Sequence, residues 1–165
     1  MFKVNNYVMK ANHGVCRIKD IVHLDMPSID KKKRFYYLVP VDDENMKVYV
    51  PVDTAEQFLR AVMGAEEAMD CILAMKSIDS AWIANEKQRE SFYKEALKSC
   101  DPLQIIAIIK NMFERKQERL SNGKMVMAVD EKYFRIAEEQ LFSELAFALG
   151  MKKEEMLSFI QMKIE

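Results

Sequence analysis

Nucleophilic catalysis needs a base within hydrogen-bond reach and a third group to orient it. The chain has two histidines for that task, His13 and His23. Cys16 stands three residues from His13, which suggests a thiol–imidazole dyad, but no orienting partner or oxyanion motif accompanies the pair. His13 precedes Gly14 and reads as a turn residue bonded to its own backbone, and His23 reads as an exposed strand end. Cys16, Cys71 and Cys100 are odd in number and widely spaced, without a Cys-x-x-Cys pair for zinc or thiol exchange, and read as reduced, packed thiols. Four glycines, Gly14, Gly64, Gly123 and Gly150, cannot write a P-loop or a dinucleotide fingerprint. The expectation is no catalytic residue, no metal site and no cofactor, hence no enzyme.

Binding chemistry has better candidates. The formal net charge of -1 excludes a whole-chain field for nucleic acid, so any such site is local. Residues 82–124 hold nine basic against six acidic side chains, whereas 125–165 hold five against eight, so this half of the chain is polarised. Trp82, the single tryptophan, opens the basic stretch at an expected helix start. With Lys87, Arg89, Arg115 and Lys116 it has the makings of an apolar wedge for a minor-groove base step, flanked by cations for phosphates. The competing reading is a hydrophobic plug between subdomains. The run Lys31-Lys32-Lys33-Arg34 reads as a solvated hairpin tip that discourages edge pairing, in preference to a nucleic-acid patch.

The elements that carry these residues follow two grammars. From residue 1 to about 52, β-branched and aromatic residues recur between turn signals, predicting strands over 7–9, 15–22, 35–41 and 46–50. In the last of these, Met46, Val48 and Val50 share one face and Lys47 and Tyr49 the other. Such strands suit a strongly bent sheet or open barrel with at least one free edge. After Val52 the spacing becomes helical, beginning with a capping-box pattern in Thr54-Ala55-Glu56-Gln57. Helices are expected near 66–76, 83–98, 102–119, 130–149 and 153–163. Asp101-Pro102 caps the third and Ser121-Asn122-Gly123 stops it. Leu103, Ile106, Ile109, Met112 and Phe113 form one apolar stripe, and Phe134, Ala137, Leu141, Leu145 and Ala148 another, so these two helices should pack together. The fold class is α+β, a small β-barrel followed by an all-α bundle, with domains over 1–60 and 61–165 and Gly64 near the boundary. No stretch has the length of an apolar membrane span and the N-terminus lacks a signal-peptide core, so a cytoplasmic, membrane-free protein is expected.

Several runs together resemble one family. Phe2-Lys3-Val4, His13-Gly14-Val15, Tyr36-Tyr37-Leu38-Val39 and, most specifically, Val48-Tyr49-Val50-Pro51-Val52-Asp53-Thr54-Ala55-Glu56 are similar in order and spacing to the N-terminal domain of CarD-like regulators. Trp82, Arg89, Tyr93, Leu97-Lys98-Ser99-Cys100-Asp101, the run 114–121 and the run 144–149 resemble that family's helical domain. The resemblance implies a Tudor-like barrel, shared with transcription-repair coupling factors, that binds the β subunit of bacterial RNA polymerase. The matching exposed strand supplies Lys47, Val48, Tyr49, Val50 and Pro51 as the polymerase-binding residues. It further implies that Trp82 wedges into the promoter minor groove at the upstream edge of the bubble while Lys87, Arg89, Arg115 and Lys116 meet phosphates, stabilising the open complex. The alternative is an adaptor that keeps the polymerase contact but turns its helices toward another protein. The chain departs from the family where the usual Gly-Asp is Asn5-Asn6, where Tyr-Pro is replaced by Lys10-Ala11-Asn12, and where Ser-Gly-Asp is Ser99-Cys100-Asp101. Some relatives also carry a basic residue where Tyr49 stands and a shorter spacing between the positions of Trp82 and Arg89.

Overall fold

The structure is a computed structural model that describes residues 1–165. Its chain divides into two compact units, Met1–Val62 and Met63–Glu165. The first is a curled antiparallel half-barrel, the Tudor-like architecture, of β1 (Tyr7–Lys10), β2 (Gly14–His23), β3 (Arg34–Pro40), β4 (Val48–Pro51) and β5 (Leu59–Ala61) in the order β4-β3-β2-β1-β5. The long β2 pairs with both β1 and β3, and a register shift between Ile18 and Asp20 bends it, since an extra residue on one strand increases local twist. Alternation sends Val8, Ile18, Tyr36, Leu38, Val48 and Val50 into one apolar core. The buried Tyr36 keeps its hydroxyl satisfied by accepting from the Phe2 N–H and donating to the Phe2 carbonyl, both at 3.1 Å.

Two local expectations are corrected in this unit. The run 54–57 starts no α-helix: Val52–Gln57 is a 3-10 turn without a side-chain cap, and the chain returns as β5, pairing Met9 with Arg60. A three-residue edge strand has too little alternation to be read from sequence. Met46, expected in the fourth strand, lies outside it and is exposed. Backbone conformation also explains a departure from the family pattern. Asn5, which the resemblance to CarD-like regulators sets at a glycine position, has φ +73, a left-handed conformation that asparagine tolerates better than most residues. Asn6 beside it accepts from the Lys3 N–H at 2.9 Å through its side chain.

The second unit is a bundle of α1 (Ala65–Ala74), α2 (Arg89–Ser99), α3 (Pro102–Ser121), α4 (Ala128–Leu149) and α5 (Met156–Ile164). Asp101 caps α3 by accepting the Leu103 N–H at 2.9 Å, with Pro102 in the first turn where no N–H is missed. Gly123 and Gly150, at φ +71 and +65, close α3 and α4 with a carbonyl of the preceding turn accepting from the residue after each. Cys100, the other residue that the resemblance sets at a glycine position, is likewise left-handed at φ +56, at the end of α2. As expected, α3 and α4 pack together. The buried face of α3 is Ile105, Ile106, Ile108 and Met112, however, and Leu103 and Phe113 fall outside it. No helix is long and apolar enough to cross a membrane. No group of three or more His, Cys, Asp or Glu side chains is placed to hold a metal ion.

The largest correction concerns residues 83–98. Regular helix begins only at Arg89, after a 3-10 turn at Glu86–Gln88, and residues 78–85 run as an irregular strap. Trp82 therefore lies on this strap and not at a helix start.

Candidate functional site

The strap is held although it has no secondary structure of its own. Ala81 donates its N–H to the Ala107 carbonyl at 3.0 Å, and its carbonyl accepts from Asn111 Nδ2 at 3.0 Å, so α3 grips both sides of one residue. The ammonium of Lys110, on the same helix face, bonds the Ile78 carbonyl. Ile78, Ala81 and Ile83 pack on the helical core. Between the two last, Trp82 projects outward with 81% of its surface exposed. Within the helical unit the ring is therefore not a plug, since a plug is covered. A large aromatic left in solvent on a held backbone is a candidate contact residue.

Beneath the strap lies an ion and hydrogen-bond network. Arg89 is only 7% exposed. Its guanidinium forks onto Glu86, Nη2 to Oε1 at 3.0 Å and Nε to Oε2 at 3.3 Å, and its Nη1 donates to Tyr93 Oη and Asn111 Oδ1, each at 2.7 Å. The Tyr93 hydroxyl donates onward to Asp130 Oδ1 at 2.9 Å. Arg115 reaches Glu86 at 2.5 Å through Nη1 and approaches Asp130 Oδ2 at 2.7 Å through Nε. The Nε–H finds no directed hydrogen-bond acceptor, so this last pairing acts as a charge contact. The hydrogen bonds from Arg115 and Arg89 hold the Glu86 carboxyl down at about 2, although its side chain is 62% exposed. Burial, with Asp130 beside it, pushes the Tyr93 hydroxyl up to about 12 against the opposing bond from Arg89.

Arg89 and Arg115, both expected at phosphates, are thus drawn inward, whereas Lys87 and Lys116 are exposed. A guanidinium that already satisfies two carboxylates or a buried hydroxyl has few N–H groups left for a ligand. Sequence reasoning missed Asn111 and Asp130 altogether. Both occupy ordinary helical positions, and no spacing rule links them to partners on other elements.

The first unit presents a different kind of surface. β4 is an edge strand whose inward Val48 and Val50 are buried and whose Tyr49 faces outward, 41% exposed. Tyr49 pairs across the ladder with Tyr37, and the rings stack at 5.4 Å with 21° between planes. The Lys19 ammonium stands 5.8 Å from the Tyr37 centroid, continuing the row onto β2. Lys47 is exposed just before the strand, and Pro51 ends it opposite Phe35. His13 sits in the β1–β2 turn with its N–H bonded to the Lys10 carbonyl, and burial and Lys10 lower its pKa. Cys16 is buried in the half-barrel core, and its thiol lies 3.7 Å from the Gly14 carbonyl.

Both surfaces lie on domains of known type. Residues 2–63 match the CarD-like/TRCF RID domain, and residues 71–161 match the CarD C-terminal domain. The chain belongs to the CarD family. It is accordingly an RNA polymerase-interacting transcription regulator, of a family that is not enzymatic. The two matched spans cover the half-barrel and most of the bundle, including the Trp82 strap and the network below it. No curated protein matches the chain significantly.

Proposed function

We propose that this CarD-family chain binds the β subunit of RNA polymerase through the β4 edge and promoter DNA through Trp82, stabilising the open promoter complex. The observation that carries the DNA half is the outward projection of Trp82 from a strap bonded on both sides of Ala81. An apolar wedge of that kind can fill a partly unstacked minor-groove step, and Lys87 and Lys116 supply mobile cations for phosphates. Arg89 and Arg115 support the strap from below and do not themselves provide the salt-dependent attraction. Regulation then needs no bond chemistry: a protein that binds the melted promoter better than the closed one shifts their equilibrium by that difference in affinity.

For polymerase, Val48–Pro51 offers a short edge for strand addition and Tyr49 an aromatic anchor beside Tyr37. Lys47 extends the same edge toward a partner carboxylate. The adaptor reading draws on one observation, that Arg89 and Arg115 are engaged internally and leave fewer cations for DNA.

Binding to bacterial RNA polymerase, alone and on a promoter with a pre-melted bubble, at two salt concentrations, separates the readings. The expected result is polymerase binding that tightens on bubble DNA, with a gain that shrinks at high salt. Polymerase binding with no DNA gain would establish the adaptor. Loss of binding by an isolated β subunit, with holoenzyme binding retained, would move the contact elsewhere on polymerase.

A further inference from the structure

The strap 78–85 has no ladder or helix to satisfy its backbone, so its pose depends on groups that other elements bring to it. One face of α3 brings three: the Ala107 carbonyl, the Lys110 ammonium and the Asn111 amide, at i, i+3 and i+4. Asn111 differs from the other two because its amide works from both ends. Nδ2 donates to the Ala81 carbonyl at 3.0 Å while Oδ1 accepts from Arg89 Nη1 at 2.7 Å. Turned by half a rotation, the amide would set oxygen against the Ala81 carbonyl and NH₂ against the guanidinium, two like-to-like encounters. Arg89 therefore dictates which way the amide points, and the Glu86 fork and Tyr93 fix Arg89 in turn.

We propose that Asn111 is a positioning residue which, oriented by the buried Arg89, clamps the Ala81 carbonyl and so holds the neighbouring Trp82 in its projecting pose. The inference rests on the DNA reading above for its purpose and on the strap geometry alone for its substance. The peptide unit joining Ala81 to Trp82 contains the clamped carbonyl, and its planarity carries the clamp directly to the Trp82 Cα. Ile83 anchors the far side by packing on the core. A wedge held in this way loses less conformational freedom when it inserts, which raises affinity without adding a contact. The buried charges beneath the strap then have a role that stability alone does not require, because replacing a buried ion pair with apolar residues is often neutral or stabilising.

The test uses the full chain without nucleic acid and exploits Trp82 as its single tryptophan. Asn111→Asp keeps the shape and the acceptor toward Arg89 but cannot donate to Ala81, and it sets a carboxylate against that carbonyl. Asn111→Ala, which favours the helix, removes both bonds and serves if the aspartate disturbs folding. In either variant the Ala81 amide should exchange with solvent at least about tenfold faster and Trp82 fluorescence anisotropy should fall, with exchange in the middle of α4 unchanged. Unchanged Ala81 exchange and anisotropy in both variants would overturn the proposal. So would a uniform acceleration across the bundle, which would make Asn111 a general stabiliser. Affinity for fork-junction DNA is measured separately: if wild type binds none, the DNA reading fails while the anisotropy result still decides the clamp.

Discussion

The β4 edge and the Trp82 strap both leave an aromatic side chain in solvent, but they hold it by different means. Tyr49 is placed by ladder register: once Val48 and Val50 face the core, the residue between them faces out and lands opposite Tyr37. Trp82 is placed by residues from four separate stretches, around 81–86, 89–93, 107–115 and 130, joined through buried charge. The first arrangement is local and tolerant, since each rung supports its neighbours. The second is a chain of dependent contacts in which one missing partner leaves others unsatisfied.

The greatest loss should follow from breaking that chain at its most enclosed carboxylate. Asp130→Ala strips the partner from the Tyr93 hydroxyl and from Arg115, and should destabilise the helical unit by about 3–5 kcal/mol, as removal of one member of a buried ion pair does. Urea unfolding followed by Trp82 fluorescence measures it. A loss under about 1 kcal/mol would put the strap in the same tolerant class as the edge. Next, Leu38→Ala opens a cavity in the half-barrel and should remove about 2–5 kcal/mol from that unit. Amide exchange in β2 should accelerate while the Trp82 unfolding midpoint holds, and if both move together the two units do not unfold independently.

Tyr49→Ala tests the edge as an interface. It should weaken polymerase binding about tenfold, the effect of losing one aromatic anchor, with no change in thermal unfolding of the bundle. Undiminished affinity would remove Tyr49 from the contact. A smaller effect concerns acid. The Glu86 carboxyl titrates at about 2 in the folded chain against an ordinary value of 4.5. A depressed carboxylate stabilises the fold above pH 4.5, and that contribution fades as pH falls toward 2. Because Glu86 is largely exposed, solvent screening limits the effect to about 1 kcal/mol or less. Glu86→Gln should accordingly be less stable than wild type at pH 7 and indistinguishable from it near pH 2, and a difference that persists at pH 2 would rule out titration of this group as its cause. The smallest change is expected of Cys100→Gly, where relief of the left-handed backbone, about 1 kcal/mol, opposes the loss of a buried side chain. Stability should stay within about 1 kcal/mol of wild type in thermal unfolding.

Much of the architecture was legible from period and punctuation. Alternation marked four strands, Asp101-Pro102 and Ser121-Asn122-Gly123 bounded α3, and the outward position of Tyr49 follows from its valine neighbours. These are short-range properties: a side chain's face is set by the residues beside it, and a cap by residues within one turn. The glycine-to-asparagine and glycine-to-cysteine departures were visible too, but not that both sit on left-handed backbone, which is a property of the folded turn.

What the sequence by itself determined is therefore the two-part α+β plan, the lack of a written catalytic motif, and an aromatic residue on the outer face of a sheet strand. Tertiary structure alone decided that β5 adds an edge strand beside β1, that Trp82 rides an irregular strap, and that Arg89 and Arg115 turn inward to Glu86, Tyr93 and Asp130 while Lys87 and Lys116 stay outside. The reason is range. Glu86 and Tyr93 stand at helical spacing from Arg89, but Arg115 meets Glu86 and Asp130, and Arg89 meets Asn111, only because packing brings distant residues together, and no periodicity in the chain encodes that encounter.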